Sequence, residues 1–584
     1  MLNSKWQLSM LLLLILTASA SAQSTSDLTS YSAGKISSQQ LNDKSIIKPI
    51  LLAKMSPSSK AMPASLELKG KISFTPVFEN AYFQILTDEF NYQQNSQLQL
   101  SELPVFDIEL ISINGTLFPK IRGTVTTPHP HWDYVIEPGK VWREGSDKSI
   151  NRALLPFALQ EKNANCLHNG LITFLFDDKG KISNGFYQIS SETCTYLQFD
   201  ASGYLATNLI ADTSLAGNTI SQQADVYQKS VNSVTELQAL KEQFANADLE
   251  ALAGKSDNNS NAISVAGIII AGNHFQAPCM TRHGRHPLCQ SLTLPSYSLA
   301  KSMFASLTLH ALRQRFPDID SLQVTDWVEQ CNSKEWHGVS TSNLLNMNTG
   351  LYDSESYSDD EFSEKMEGFF DASSHQQKIT QACSFFNKKQ SPGERFIYHT
   401  SDTYILGTVL NKFYKRHHEP SQDLFYDFVV EQLFKPLALS PTTWTTRRSL
   451  GDIGQPFTGY GLNLLPADIA ALADAAYAKP ANTLSAHKAW QHILATKAQL
   501  TNETHPAIFA PNFAYAQGFW FQDIAEVLNC AKPTWVPFMS GYGGITVAFL
   551  PKQITYYVFA DNHNHQWAQA LVAIDAIIPL CASD

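Results

Sequence analysis

Charge is scarce in this chain. Only 16% of its 584 residues are Asp, Glu, Lys or Arg, against 44% hydrophobic, and 53 acidic residues oppose 42 basic ones for a net charge of −11. An acidic balance repels phosphate backbones and anionic lipid, which counts against nucleic acid or an anionic membrane as the partner. No cysteine pair has the CxxC spacing of a metal or redox site. The apolar run Met10 to Leu16 is too short for a comfortable membrane span, and no internal repeat is present. What remains is a chain long enough for two globular units with sizeable cores.

Residues 1–22 read as an export signal, with Lys5 in a positive n-region, the Met10–Leu16 apolar run and small residues from Ala18 to Ala22. A retained signal anchor is the alternative. No cysteine follows the run, which argues against a lipid anchor. The eight cysteines fall in neighbouring pairs: Cys166 and Cys194, Cys279 and Cys289, Cys331 and Cys383, Cys530 and Cys581. That arrangement invites four local disulfides in an oxidising compartment, although many other connectivities are open. The expected location is periplasmic or secreted.

Residues 23–62, rich in Ser, Gln, Lys and Ala, are expected to be a flexible leader. From 63 to 211 short apolar runs alternate with turn signals such as Asp178-Lys179-Gly180, predicting a β-rich domain whose role the sequence does not reveal. Residues 212–260 read as a linker with a helix, Val234 to Ala253 having helical spacing before the polar break Lys255–Asn261. The second domain, 261–584, opens with a strand-like run from Ile263 to Ile270. Helices are predicted at Leu299–Arg315, Thr403–Tyr414, Ala467–Tyr477 and Gln566–Ile578, and a hairpin at Thr546–Leu550 and Ile554–Phe559. The class is α+β: an antiparallel sheet flanked by helices, with a helical lobe beside it and a β-rich domain in front.

The chemistry is concentrated at Pro295-Ser296-Tyr297-Ser298-Leu299-Ala300-Lys301-Ser302. Ser298 and Lys301 are three residues apart at a helix start, hence on one face. An amine there can take the proton that keeps a serine hydroxyl unreactive. SxxK by itself is weak, and Ser32/Lys35, Ser45/Lys48 and Ser485/Lys488 match it too. An N-cap serine beside a solvated lysine is the ordinary alternative. Only Ser298 follows a strand-turn region and opens an amphipathic helix.

Two later segments change its weight. Pro392 to Gly407 contains Tyr398-His399-Thr400-Ser401-Asp402 as a turn leading into a helix, and Gly541-Tyr542-Gly543-Gly544-Ile545 leads into a strand. In this order the three segments resemble the β-lactamase-related serine hydrolases, comprising class C β-lactamases, penicillin-binding proteins and related esterases and amidases. Their motifs are SxxK, Tyr-x-Asn/Ser and Lys/His-x-Gly. Trp336–Leu351 and Gly461–Ala470 resemble the flanking stretches, and the likeness covers about 262–575. The variants around Ser298 and Tyr398 lean toward the 6-aminohexanoate-oligomer-hydrolase-like branch.

The resemblance implies Ser298 as nucleophile, Lys301 as base and Tyr398 as proton relay to the leaving group. It also implies an oxyanion hole from the backbone N–H groups of Ser298 and Ile545, with Thr400, Tyr542, Gly543 and Gly544 lining the substrate site. Two departures stand out. Tyr542 replaces the usual cation, so neutral or aromatic esters and amides fit better than β-lactams; Thr400 replaces Asn or Ser.

Other candidates are weaker. His129-Pro130-His131-Trp132-Asp133 does not present ligands on a helix face and reads as a loop. His563-Asn564-His565 reads as turn histidines or as the rim of a cleft. The Asn114 and Asn258 sequons carry little weight. No metal or cofactor is expected. The leading reading is an exported serine hydrolase acting on a small or oligomeric ester or amide through an acyl-enzyme. Alternatives are a β-lactamase or D,D-peptidase, and a non-catalytic protein that contacts cell wall or extracellular polymer through its N-terminal domain.

Overall fold

The structure, a computed structural model, describes residues 34–147, 149–212, 218–255, 262–478, 485–500, 507–565 and 567–581. The expected signal at 1–22 and the start of the leader lie outside the described residues.

Ten strands make the first unit: β1 Lys69–Asp88, β2 Phe106–Ile113, β3 Thr116–Pro119, β4 Gly123–Val125, β5 Trp132–Ile136, β6 Gly139–Trp142, β7 Asn151–Glu161, β8 Leu167–Phe176, β9 Gly185–Thr193 and β10 Leu197–Ala211. They hydrogen-bond in the order β4-β5-β7-β6-β3-β2-β1-β10-β9-β8, and β7 also pairs with β8. That last pairing closes the sheet into a barrel, which leaves no free edge around the ring. Alternation along the strands fills the interior: Ala153, Leu155, Phe157 and Leu159 of β7 join Ile72, Phe74, Phe106 and Phe174 in one cluster.

The outward residues Leu154, Leu171, Leu175 and Phe186 are covered instead by Ile36, Leu41, Ile46, Leu52 and Met55. The expected flexible leader is therefore corrected over 34–62: spaced apolar residues strap it to the barrel. Ile46 donates its N–H to Tyr204 Oη at 2.7 Å, and Ile50 bonds Gln188 through both N–H (2.8 Å) and C=O (2.9 Å).

The connection also differs from expectation. Its long helix is Asn218–Asn232, while β11, Val234–Glu236, and two short helices at Leu240–Gln243 and Leu249–Leu252 occupy the stretch expected as one helix. The second sheet takes β11, then β12 Ile263–Ile270 and β13 Asn273–Gln276. Two minor pairs follow, β14 Met280–Thr281 with β15 Gly284–Arg285, and β16 Leu294–Pro295 with β17 Asn463–Leu464. The main sheet resumes with β18 Ile508–Ala510, β19 Phe513–Ala516, β20 Phe519–Asp523, β21 Trp535–Gly541, β22 Ile545–Leu550 and β23 Ile554–Ala560. Its order is β11-β13-β12-β23-β22-β21-β20-β19-β18, antiparallel except for β11 with β13.

Period-two alternation splits that sheet between two cores. Ala266, Ile268, Ala548 and Tyr556 pack on the C-terminal helix Ala568–Asp575 through Leu571 and Ile574. Val265, Ile269, Val547 and Phe559 face the helix that follows Ser298 and the helical lobe. The lobe includes helices Thr400–His417 and Pro466–Tyr477. No helix among the described residues is long and apolar enough to cross a membrane.

Candidate active site

β16 pairs with β17, so the turn carrying Ser298 lies against the segment that runs from Gly459 to Leu464. Tyr297, just before the serine, has φ 40°, a left-handed value uncommon for a bulky side chain. The barrel holds that turn. Asn165, buried beside the Cys166–Cys194 disulfide, uses Oδ1 to accept the N–H of Tyr297 at 2.7 Å, the N–H of Gly461 at 3.0 Å and the hydroxyl of Ser296 at 3.2 Å. Its Nδ2 donates to Leu462 O at 3.2 Å. Sequence reasoning missed Asn165, which stands outside all three motifs.

After the turn the chain enters a π-helical stretch, Lys301–Ser306, that continues as α-helix over Leu307–Arg313. Wide turns of this kind occur often at functional sites. Ser298 and Lys301 share a face as expected, with Lys301 Nζ 2.8 Å from Ser298 Oγ. The amine also donates to Thr400 Oγ1 at 2.9 Å and to Gly459 O at 3.2 Å. A neutral amine has two N–H bonds and one lone pair. In that neutral form Thr400 and Gly459 can take the two donors, which leaves the lone pair for Ser298 Oγ. Burial, with Lys301 only 2% exposed, pulls its pKa down to about 8 despite the opposing field of the Glu361 carboxylate. Gly459 must be glycine: a Cβ there would stand 2.2 Å from Thr403 Oγ1.

Tyr398 and Thr400 reach the same point from the start of the Thr400–His417 helix. The Tyr398 hydroxyl interacts with the side chains of Ser298 and Thr400, while burial and the Glu361 charge push its pKa well above the ordinary phenol value. Lys301 Nζ lies 5.0 Å from the Tyr398 ring centroid. The ring is stacked on Trp520 at 5.5 Å and meets Tyr515 edge-on at 6.1 Å. Phe396, Phe509 and the half-exposed Tyr357 extend this aromatic wall.

Glu361 is the group the motifs did not disclose. Its carboxylate accepts the Thr400 N–H at 2.8 Å and the Thr400 hydroxyl in a short bond. Burial raises its pKa, opposed by Lys301 and by the two Thr400 bonds. The only signal in the sequence is its place in the acidic run Asp359-Asp360-Glu361.

The third segment is placed differently from the expectation. Tyr542 packs on Tyr297 at 5.7 Å, on Tyr196 of the barrel at 6.4 Å and edge-on against His563 at 5.0 Å, and its hydroxyl interacts with Thr195. Gly543 and Gly544 turn at φ 92° and 103° against Thr195 and Asn564. These three residues therefore line the seam with the barrel. Ile545 opens β22 opposite Gly541, with its side chain fully buried. Gly541 is the hairpin residue that approaches the turn of Ser298: a Cβ there would stand 3.0 Å from Ser296 O.

Elsewhere, the four cysteine pairs 166–194, 279–289, 331–383 and 530–581 are disulfides. The one metal-like group among the described residues, Cys166, His168 and Cys194, has both sulfurs in a disulfide, so it offers no thiolate. In the His129–Asp133 segment His129 Nδ1 caps the N–H groups of His131 and Trp132, and Asp133 pairs with Arg447 and Lys162.

Residues 293–577 match the family model described as Beta-lactamase. No curated protein matches the chain. Among solved structures it resembles the hydrolase EstCE1, titled as having promiscuous acyltransferase activity, at 13% identity and TM-score 0.42, covering 60% of this chain and 99% of that one. It also resembles a beta-lactamase/D-alanine carboxypeptidase from Pseudomonas syringae at 12% identity and TM-score 0.39, covering 62% and 100%. A D-stereospecific amidohydrolase from Streptomyces sp. follows at 14% identity and TM-score 0.37, covering 57% and 98%.

Proposed function

From the match of residues 293–577 to the Beta-lactamase family model and the geometry around Ser298, we propose that this chain is an exported enzyme that cleaves an ester or amide through an acyl group on Ser298. The observation that carries the reading is the 2.8 Å contact between Lys301 Nζ and Ser298 Oγ, inside a site that depresses the lysine's pKa.

In the first half-reaction Ser298 Oγ bonds to the carbonyl carbon as its proton passes to Lys301 Nζ. The oxyanion is met by the Ser298 N–H and a donor from the Gly541–Ile545 hairpin, where one donor is typically worth about 2.7–4 kcal/mol. The bond to the leaving group then breaks, and Tyr398 passes that group a proton drawn from Lys301. Water follows the same route in reverse, losing its proton toward Tyr398 and Lys301 as the ester to Ser298 breaks.

The Tyr398–Trp520 side of the site is aromatic. That favours neutral, apolar or aromatic acyl compounds. Four disulfides support export. The test is turnover of short acyl nitrophenyl esters beside nitrocefin. Ester hydrolysis that disappears in Ser298→Ala supports the proposal, faster nitrocefin turnover redirects it to a β-lactamase, and equal turnover by Ser298→Ala contradicts it.

A further inference from the structure

Lys301 acts as a base only if its lone pair points at Ser298, and the environment must enforce that direction. Thr400 is the weak point. A threonine hydroxyl can accept from the lysine or rotate and donate to it, and donation would occupy the lone pair that Ser298 needs. Here the rotation is blocked. The single hydroxyl proton of Thr400 is held by Glu361, whose other oxygen accepts the Thr400 N–H at 2.8 Å. Thr400 Oγ1 is left as an acceptor, and Lys301 Nζ donates to it at 2.9 Å.

We propose that Glu361 is a positioning residue that fixes the polarity of the chain Glu361–Thr400–Lys301–Ser298 and so keeps Lys301 aimed as a base. The proposal rests on the serine-hydrolase reading. It also fits a hydroxyl at a motif position where the family carries Asn or Ser: an amide oxygen is an acceptor by nature, whereas a serine or threonine hydroxyl needs a second group to hold its proton. The hydrogen bonds of Glu361 go to Thr400, one residue removed from Lys301 in the chain of contacts.

The carboxylate sits among several titrating groups. Lys301 comes from the nucleophile's helix; Tyr398, His399 and Asp402 come from the second motif; Tyr460 and Tyr515 also feel its charge. Glu361 raises the Lys301 pKa against the pull of burial. Removing its charge should therefore shift the acid limb of the rate to lower pH while the plateau falls, two changes of opposite benefit that simple loosening would not produce together.

The experiment measures the rate of fluorophosphonate labelling of Ser298, with ester kcat and KM, across pH in the full-length protein. It compares wild type, Glu361→Gln, Glu361→Ala, Thr400→Val and the Glu361→Gln/Thr400→Val pair, with circular dichroism to confirm folding. The expected result is a fall in kcat of about tenfold or more on losing Glu361, up to the ~10²–10⁴-fold worth of general acid–base catalysis. KM should stay near wild type, and the acid limb should move down in pH. In the Thr400→Val background, where no hydroxyl remains to orient, Glu361→Gln should add little. Unchanged rates, or an equal penalty in both backgrounds with the limb unmoved, overturn this inference and leave the hydrolase reading standing. No label on wild-type Ser298 removes both. If Glu361→Ala does not fold, the near-isosteric Glu361→Gln decides.

Discussion

Asn165 of the barrel accepts the backbone N–H of Tyr297, the residue before Ser298, at 2.7 Å across 132 positions of sequence. The same side chain ties Gly461 and Leu462, which flank the loop whose Gly459 carbonyl accepts a hydrogen bond from Lys301. The N-terminal unit thus holds both walls of the serine's turn.

Replacing Asn165 with Ala would leave the buried N–H groups of Tyr297 and Gly461 and the carbonyl of Leu462 without this partner. A cost of about 1–3 kcal/mol for each group left unmet is expected. Denaturant unfolding measures it, and kcat should fall further than KM rises because the serine's turn is what loosens. Unchanged stability and kcat would contradict the assignment.

Lys301 must be neutral to accept the serine's proton, and its pKa is lowered to about 8. The kcat/KM for a non-ionising ester should therefore rise with pH and level off above about 8. Lys301→Met should lose about 10²–10⁴-fold of the rate. A profile flat from pH 6 to 9 would contradict the role.

How much of this was legible beforehand follows from distance along the chain. Ser298 with Lys301, and Tyr398 with Thr400, are local patterns, and the three-residue spacing of the first pair put it on one helical face. Strands and helices with clean periodicity, such as Ile263–Ile270 and Pro466–Tyr477, were readable for the same reason. Glu361 and Asn165 act through contacts made 39 and 132 residues away, so beyond the acidic run that holds Glu361 nothing in their own neighbourhoods marks them. The strap at 34–62 was hidden because its apolar residues are too sparse for periodicity and gain meaning only against the barrel wall. Tyr542 was read for what it lacks, a charge, whereas its packing on Tyr196 depends on how the two units meet.

Glu161 is buried in the barrel wall, accepts a hydrogen bond from Tyr196 Oη at 2.5 Å, and burial raises its pKa from 4.5 to about 7. The native state therefore holds a proton that the unfolded chain has released, between about pH 4.5 and 7. Stability from this group is full below about 4.5 and is lost as pH rises through 7. Glu161→Gln should flatten the fall in unfolding free energy between pH 5 and 8 by up to about 3 kcal/mol. Parallel curves for the two proteins would contradict it.

The Cys331–Cys383 disulfide spans 52 residues of the helical lobe. Replacing both cysteines with serine should lower stability by about 2–4 kcal/mol, read as a shift in the urea midpoint. No shift would contradict a structural role for that bridge.

The central claim is that an amine one turn away makes Ser298 a nucleophile. It is tested most directly by treating the protein with a fluorophosphonate, digesting it and weighing the peptide that carries Ser298. The account predicts a single adduct on Ser298, formed faster as pH rises toward 8 and lost in Lys301→Met. An unmodified Ser298, or an adduct that forms at the same rate without Lys301, would contradict it.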